Sequence, residues 1–345
     1  MRLCLGLVIV VTLAVRAMAV PAVDQKRFLD EIDFYGYKGL DVAAVRVALP
    51  FHEGDRFPPP NVHSDQLKKQ VASAVKQVIG REPTDVVFLC CDANQNFGAY
   101  IGLPGESYKP LQFDAGPTGS IRLPKDAVKL SKTLDDALTS AIMGGHGTED
   151  DSAGYALTND QKARQLQLAF RAYALEHDEL ILHVLTSSSD ADHRAIAAQL
   201  VGYGRQSDGQ VDALVHASLD PDDDVRNNAT RALWVLAGAK PALAQRVPPQ
   251  PFIQLLRSGT WSDHNKASLV LSALTTTRDP KVLEELRADA LDSLLEMGRW
   301  RSVGHAEPAL TILGRIAGID EDALNKLIDA ADAATILSKF DPRRF

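Results

Sequence analysis

The residues of this 345-residue sequence that could do chemistry are few and lie apart from one another. The densest group is a glycine-flanked acidic stretch in which His146 is followed by Glu149, Asp150 and Asp151. Imidazole and carboxylate groups are ligands for hard or borderline cations, so a metal-dependent hydrolase is one interpretation. The same composition is typical of a solvated connection between helices. We adopt the second interpretation and predict neither a metal nor a cofactor.

No familiar catalytic motif accompanies these residues. The sequence lacks a Gly-x-Ser-x-Gly elbow, a Walker loop, His-Glu-x-x-His and Cys-x-x-Cys. Cys90 and Cys91 are adjacent, and in a regular strand they would point to opposite faces. A bond between them would strain the peptide, so we expect two separate thiols, with a redox or intermolecular role as the alternative. The sequence therefore predicts a protein that is not an enzyme.

The start of the chain predicts export. Arg2 precedes an apolar run over residues 3–15, and Ala17 and Ala19 supply the small residues that signal peptidase requires. A membrane anchor is the alternative, but the run is shorter than the roughly 20 residues needed to cross a bilayer. We expect residues 1–19 to be removed, which leaves no membrane span and places the protein in the periplasm or outside the cell.

The charge balance argues against nucleic acid as a partner. The formal net charge is −8, and loss of Arg2 and Arg16 with the signal peptide would make it −10. Such a charge repels a phosphate backbone. A protein partner is the better expectation.

Residues 20–123 predict a small α+β domain. Hydrophobic spacing and turn residues give the order strand, helix, helix, strand, strand. These elements are predicted at residues 31–36, 40–49, 64–80, 85–91 and 97–103.

Ile32, Phe34 and Gly36, with Gly54-Asp55 between the helices and the closing hairpin, resemble the POTRA domain of bacterial envelope proteins. The resemblance covers about residues 31–103 and implies a two-layer α/β sandwich. POTRA domains usually precede an outer-membrane barrel. No series of alternating strands of about ten residues follows here, so the barrel role is not implied.

Residues 124–159 are predicted to be a helix, 125–143, followed by a flexible linker rich in glycine. A hairpin is predicted before it, over residues 111–123.

Residues 160–345 predict an all-α solenoid. Residues 192–202 can be laid over residues 224–234, thirty-two positions later. The alanines that return at helical spacing are Ala197, Ala229, Ala267 and Ala309, with intervals of 32, 38 and 42 residues. The helix from 321 to 337 is expected to cap the array.

The stretch from Asp220-Pro221 to Val225-Arg226 and on to Ala229 resembles the HEAT repeat of armadillo-type proteins. The match is good at Arg194 and Arg226 and weaker where His264 stands in the arginine position. The resemblance implies stacked helix pairs whose second helices line a concave wall.

A partner-binding surface is predicted on these second helices. With the aliphatic stripe of residues 225–236 turned inward, Asn227, Arg231 and Trp234 lie on the opposite face. Tryptophan and arginine often carry the binding energy of interfaces. The equivalent positions in the neighbouring repeats include Gln199 and Asn265. The alternative for Trp234 is that it fills a seam between repeats.

The predicted function is thus that of an exported, non-catalytic scaffold that binds a protein partner on a HEAT-type concave surface in the cell envelope. Two enzyme alternatives stay open. One is a metal-dependent hydrolase that uses the loop near His146. The other is a lyase similar to the phycobilin lyases, which also use HEAT-like repeats but which export would separate from their pigment.

Overall fold

A computed structural model of the chain describes residues 27–56, 64–90, 96–113 and 115–340. The predicted signal peptide, Cys91 and nearly all of the turn that follows it lie outside these residues. A small three-stranded sheet with two helices comes first, and a helical C-terminal part follows. No helix within the described ranges combines the length and apolar character needed to cross a membrane.

The N-terminal elements follow the predicted order. The sheet is arranged β1-β3-β2, with β3 parallel to β1 and antiparallel to β2. Gly80 has a φ of 73° and ends the second helix, as a C-terminal glycine does. The bounds are β1 Leu29–Tyr35, α1 Val42–Ala48, α2 Ser64–Ile79, β2 Asp85–Cys90 and β3 Phe97–Gly102.

Both faces of this sheet are covered, because every residue of β3 is buried. One face packs on the two helices through Val45, Val71 and Val75. The other face presents Tyr35 and Tyr100, which belong to the hydrophobic core of the helical part. The sheet and the helical part are therefore joined through one common core.

Polar contacts hold the sheet on the helices. The Glu296 carboxylate accepts hydrogen bonds from the backbone N–H groups of Gly36, at 2.6 Å, and Lys38, at 2.8 Å. The Trp300 indole donates to the Phe34 carbonyl over 3.0 Å. Glu296 and Trp300 of the helical part thus bond directly to the backbone of β1 and of the turn that follows it.

The rest of the chain is mainly helical, with one small hairpin. Its elements are α3 Lys125–Met143, β4 Glu149–Asp150, β5 Leu157–Thr158, α4 Gln161–Glu176, α5 Asp178–Ser187, α6 Ala191–Gly202, α7 Asp208–Ala217, α8 Asp223–Ala239, α9 Pro241–Ala244, α10 Gln250–Leu255, α11 Trp261–Leu274, α12 Pro280–Asp289, α13 Leu291–Met297, α14 Val303–Ile316, α15 Glu321–Asp329 and α16 Ala333–Leu337.

Four of these helices form a row in which each contacts the next, in the order α6, α8, α11 and α14. Each carries one of the four alanines that the sequence repeats, and all four alanines are fully buried. Small side chains at such positions let neighbouring helices approach closely. The helices α5, α7, α10 and α13 pair with the members of this row.

Two buried ion pairs connect α6 to the turn before α8, and α8 to α11. Arg194 makes a bidentate contact with Asp220 at 2.8 Å through Nε and Nη2, and Arg226 contacts Asp263 at 2.9 and 3.0 Å. His264, at the weaker position of the repeat, instead places its ring 4.7 Å from that of Tyr35 in β1. The repeat pattern changes where the sheet packs on the helices.

The predicted hairpin over residues 111–123 is wrong. Residues 106–113 and 115–123, here called the strap, belong to no helix or strand and pass along the turns of the helical part. The Lys109 N–H donates to the Arg257 carbonyl at 2.7 Å, and Gly119 exchanges backbone hydrogen bonds with Ser187 and Ser189 at 2.9 and 2.7 Å. The chain pairs with the turns of the helices rather than with itself.

Two smaller predictions also need correction. The last helix is interrupted between α15 and α16, where Ala331 has a φ of 52° and Asp332 starts a new cap. Cys90 is disulfide-bonded rather than a free thiol. Both other cysteines of the chain, Cys4 and Cys91, lie outside the described residues.

Candidate partner-binding groove

A groove of about 290 Å³ opens between α3, α6, α8 and the segment of residues 146–158 that carries β4 and β5. Below it is called simply the groove. Its lining consists of Leu138, Ile142, Gly147, Glu149, Tyr155, Ala156, Gln199, Gly202, Tyr203, Asn228, Arg231, Ala232 and Val235.

The base of the groove depends on a close approach of α6 and α8. A Cβ atom on Gly202 would lie 2.8 Å from the Cβ of Ala232, nearer than such atoms pack. Glycine at this position therefore allows the two helices to meet. Because α6 and α8 meet at the base of the groove, α3 forms the wall across from them.

The wall formed by residues 146–158 is fixed by buried polar groups. The Tyr203 hydroxyl donates to the Ala156 carbonyl at 2.9 Å and accepts a hydrogen bond from Gln167 at 3.1 Å. The other end of the Gln167 amide accepts the Thr158 N–H at 2.7 Å. Burial is the main cause that raises the pKa of Tyr203 to about 12, so its hydroxyl stays a donor at neutral pH.

The groove is amphipathic. Ile142 is 44% exposed although it is a large aliphatic residue, and Leu138 lies one turn before it on α3. Arg231 forms an ion pair with Glu149, and both side chains stay partly exposed. An apolar side and a charged side thus face the same space.

The carboxamides of the groove are held by the protein itself. Gln199 accepts from the Ser131 hydroxyl and donates to Asp135, each over 3.2 Å, and Asn228 donates to the Ala195 carbonyl over 3.0 Å. Their positions are fixed in advance of any ligand.

The five predicted partner-binding residues are placed in different surroundings. Arg231 and Gln199 line the groove. Asn227 donates to Asn228 beside the groove, over 3.2 Å. Trp234 is partly buried and packs against the hydrophobic core, and Asn265 is only 4% exposed.

Two of the four side chains considered as metal ligands, those of Glu149 and Asp150, contact other side chains of the protein. Glu149 pairs with Arg231, and Asp150 accepts the Ser152 hydroxyl at 2.7 Å. Across the described residues, the carboxylates that do converge are those of Asp222, Asp223 and Asp224, and Asp222 caps α8.

Sequence reasoning did not find Ile142, Glu149 and Tyr155 as members of the site. The sequence indicated either a metal-binding loop or a flexible linker around Glu149, and the ion pair of Glu149 with Arg231 joins positions 82 residues apart. No local spacing encodes a contact of that range. No family model matches the chain, and a search of curated proteins returns no match.

Proposed function

We propose that this protein is a non-catalytic binding protein whose groove holds an extended segment of a protein partner. The observation that carries the proposal is the exposed aliphatic wall at Ile142, opposite the Arg231–Glu149 pair in one preformed groove. Apolar area beside fixed polar groups is the usual composition of a recognition site.

The chain offers its own example of how its helical part holds a segment that belongs to no helix or strand. The strap lies along the turns with backbone hydrogen bonds to Arg257, Ser187 and Ser189. The Phe113 ring of the strap lies 4.4 Å from the guanidinium of Arg226. A partner segment in the groove would use the same combination of backbone bonds and side-chain contacts.

The wider architecture that we propose is a HEAT-type solenoid. The row of α6, α8, α11 and α14 supports it, as do the two buried Arg–Asp pairs that recur between neighbours in the row. The groove would lie on the wall formed by the second helices.

The proposal is tested with a displayed library of random peptides selected on the full chain. Peptides that bind should lose affinity for Ile142→Arg, because a charge replaces the apolar wall. Leu168→Arg is the matched control, since Leu168 is 46% exposed on α4 and Ile142 is 44% exposed on α3. Failure to enrich any peptide, or equal loss with both variants, would contradict the proposal.

We also propose that the protein acts after export to the periplasm or the exterior. N-terminal mass spectrometry of the native protein tests this, because the mature chain should begin at or near Val20. A protein that retains Met1 in the cytoplasm would refute it.

A further inference from the structure

Tyr155 gives the groove an aromatic surface that is fixed before any ligand binds. Gly154, with a φ of 84°, turns the chain directly before it, and the Ala156 carbonyl directly after it accepts the Tyr203 hydroxyl at 2.9 Å. The backbone is therefore held on both sides of Tyr155. The ring itself lines the groove and is partly buried against the hydrophobic core. A partner would meet a ring whose place is set by the protein.

Arg171 of α4 supports this ring from one side. Its guanidinium carbon lies 3.9 Å from the centroid of the Tyr155 ring, which is within the range of a cation–π contact. Nη1 of Arg171 also donates to the carbonyls of Tyr203, at 2.8 Å, and Gly204, at 3.3 Å, so the guanidinium is itself held. One face of the ring is thus covered by the protein, and a ligand in the groove can contact only the other face and the edges.

The groove offers space and a second ring beside Tyr155. Its volume of about 290 Å³ is near the lower end of the range for pockets that hold small molecules, so only part of a segment fits inside it. The Tyr203 ring also lines the groove, and its centroid lies 6.1 Å from that of Tyr155. Aromatic rings attract one another at such separations. The remaining lining includes four residues with little or no side chain, namely Gly147, Ala156, Gly202 and Ala232.

The charges of the groove are balanced within the protein. Of its thirteen lining residues only Glu149 and Arg231 are charged, and they pair with each other. The charge of Arg171 behind the Tyr155 ring repels a second cation on the open face. Charge complementarity therefore favours an uncharged occupant. Between an aliphatic and an aromatic side chain, the two tyrosine rings favour the aromatic one, because aromatic pairs contribute more than their buried area alone.

We propose that the groove recognises an aromatic side chain of the bound segment, which packs on the open face of Tyr155 while Arg171 supports the other face. This inference rests on the proposed function, to which it adds the chemical class of the anchor residue. Tyr155 is the binding residue, and Arg171 is a positioning residue. Leu138 and Ile142 of α3 add apolar surface to the same groove.

Three small probes test the proposal on the full chain. N-acetylphenylalanine amide and N-acetylcyclohexylalanine amide differ in that the second has a saturated ring, and N-acetyllysine amide carries a cation. The phenyl probe should bind about two- to tenfold more tightly than the cyclohexyl probe, which is the usual advantage of an aromatic pair over buried area. The lysine probe should bind most weakly. Titration followed by NMR gives the affinities, and a cyclohexyl probe that binds equally or more tightly, or binding of neither ring, would overturn the proposal.

Variants of Tyr155 assign the preference. Tyr155→Leu removes the ring but keeps apolar surface, and it should bring the phenyl and cyclohexyl probes to equal affinity. Tyr155→Phe keeps the ring and should keep the preference. Tyr173→Leu is the matched control, because Tyr173 is a partly buried tyrosine of α4 outside the lining of the groove. A preference that survives in Tyr155→Leu, or one that Tyr173→Leu also abolishes, would contradict the assignment.

The role of Arg171 has its own readout. Arg171→Met keeps the aliphatic stem and removes the charge behind the ring. The preference for the phenyl probe should fall below about twofold, and the lysine probe should bind more tightly than it does to the unaltered protein. Arg164→Met, on the same helix and outside the lining of the groove, should leave the order of the three affinities unchanged. Equal weakening of all three probes by Arg171→Met would overturn its positioning role.

The two proposals fail in different ways. Selected peptides that lose affinity for Ile142→Arg but bind equally well to Tyr155→Leu would leave the groove function standing without the aromatic anchor. A phenyl preference that depends on Tyr155, with no peptide enriched from the library, would establish the anchor site and refute the groove function.

Discussion

Two buried arginine–aspartate pairs, Arg194–Asp220 and Arg226–Asp263, link neighbouring segments of the helical part. The side chains of Arg226 and Asp263 are 4% and 1% exposed, and Nη1 of Arg226 also donates to the Asp220 carbonyl at 2.9 Å. Burial raises the pKa of Asp263, and the contact with Arg226 lowers it. The carboxylate therefore relies on its partner to stay ionised inside the protein.

We predict that Arg226→Met lowers the free energy of unfolding by about 3–5 kcal/mol, because it leaves the Asp263 charge unpaired. Chemical denaturation measures the change. Arg246→Met is the control, since Arg246 pairs with Asp208 and Asp212 at the surface and its loss should cost less than about 1 kcal/mol. Equal effects of the two variants would show that the buried pair has no special role.

Arg231 and Trp234 belong to one helix, but the structure predicts different roles for them. Trp234→Ala should lower the free energy of unfolding by about 2 kcal/mol, because the indole packs against the core. It should change the affinity for groove-bound peptides less than twofold. Arg231→Ala should weaken that affinity by about 1–3 kcal/mol.

Calorimetry and thermal melts on the same samples separate stability from affinity. Asp223→Ala, at the start of α8, serves as the control and should change neither quantity greatly. A loss of peptide affinity in Trp234→Ala that is as large as in Arg231→Ala would return Trp234 to the binding surface.

At the scale of elements, the sequence predicted the local structures better than their contacts. The bounds of α2 and α3 and of the three long strands agree with the expected ranges to within two residues. These elements have clear spacing, caps and terminal glycines. The strap lacks such spacing and caps. Its backbone hydrogen bonds join it to turns that are distant in the sequence, and local spacing does not predict such contacts.

The Glu296 carboxylate, which accepts hydrogen bonds from the end of β1, has a raised pKa. Burial raises the pKa of Glu296 to about 7 from its usual 4.5, against the hydrogen bonds from Ser107, Gly36, Lys38 and Tyr37. Between these two values the folded protein holds a proton that the unfolded chain releases. The contribution of Glu296 to stability is therefore complete below about pH 4.5 and is lost as the pH rises through about 7.

We predict that Glu296→Gln removes a fall of stability on the order of 2 kcal/mol between pH 5 and pH 8. Denaturation of both proteins across this range gives the two slopes. His264 and His305 act in the opposite sense, because burial lowers the pKa of each to about 4 and stability is lost as the pH falls below about 6.5. The unaltered protein and the Glu296→Gln variant both keep these histidines. The difference between their slopes of stability against pH therefore reports the titration of Glu296. Identical slopes would contradict the assignment.

The strap makes a second prediction at this scale. A Cβ on Gly119 would lie 2.4 Å from the Ser187 carbonyl oxygen, whereas one on Gly238 in α8 would meet nothing within 4 Å. Gly119→Ala should therefore lower the free energy of unfolding by about 1–3 kcal/mol and speed proteolysis within the strap. Gly238→Ala should raise it by up to about 1 kcal/mol. If Gly119→Ala and Gly238→Ala both raised the free energy of unfolding, the close contact of the strap with Ser187 would be contradicted.

At the scale of the whole molecule, the sequence could not predict how its two parts lie against each other. Tyr100 illustrates the difficulty: its hydroxyl lies 2.7 Å from His305 Nδ1, across 205 positions of the chain. Each residue looks ordinary in its own element. Only the assembled fold shows that the sheet covers α11 and the start of α14, which leaves the groove at α6 and α8 open.

The sequence could predict one side of the groove but not the other. Arg231 and Gln199, which the helical stripe predicted to face outward, line the groove. The opposite wall comes from α3 and from residues 146–158, which no repeat pattern connects to α8. The predicted site was therefore missing its apolar side, which carries the proposed function.

Hydrogen exchange of the full chain, with and without a peptide selected on it, tests the central claim most directly. Bound peptide should slow amide exchange in residues 138–158, 199–203 and 228–235, which surround the groove. A second groove, lined by Pro241, Val247, Leu274 and their neighbours, is the internal comparison and should be unaffected. Protection at that second groove, with none at residues 138–158, would contradict the account.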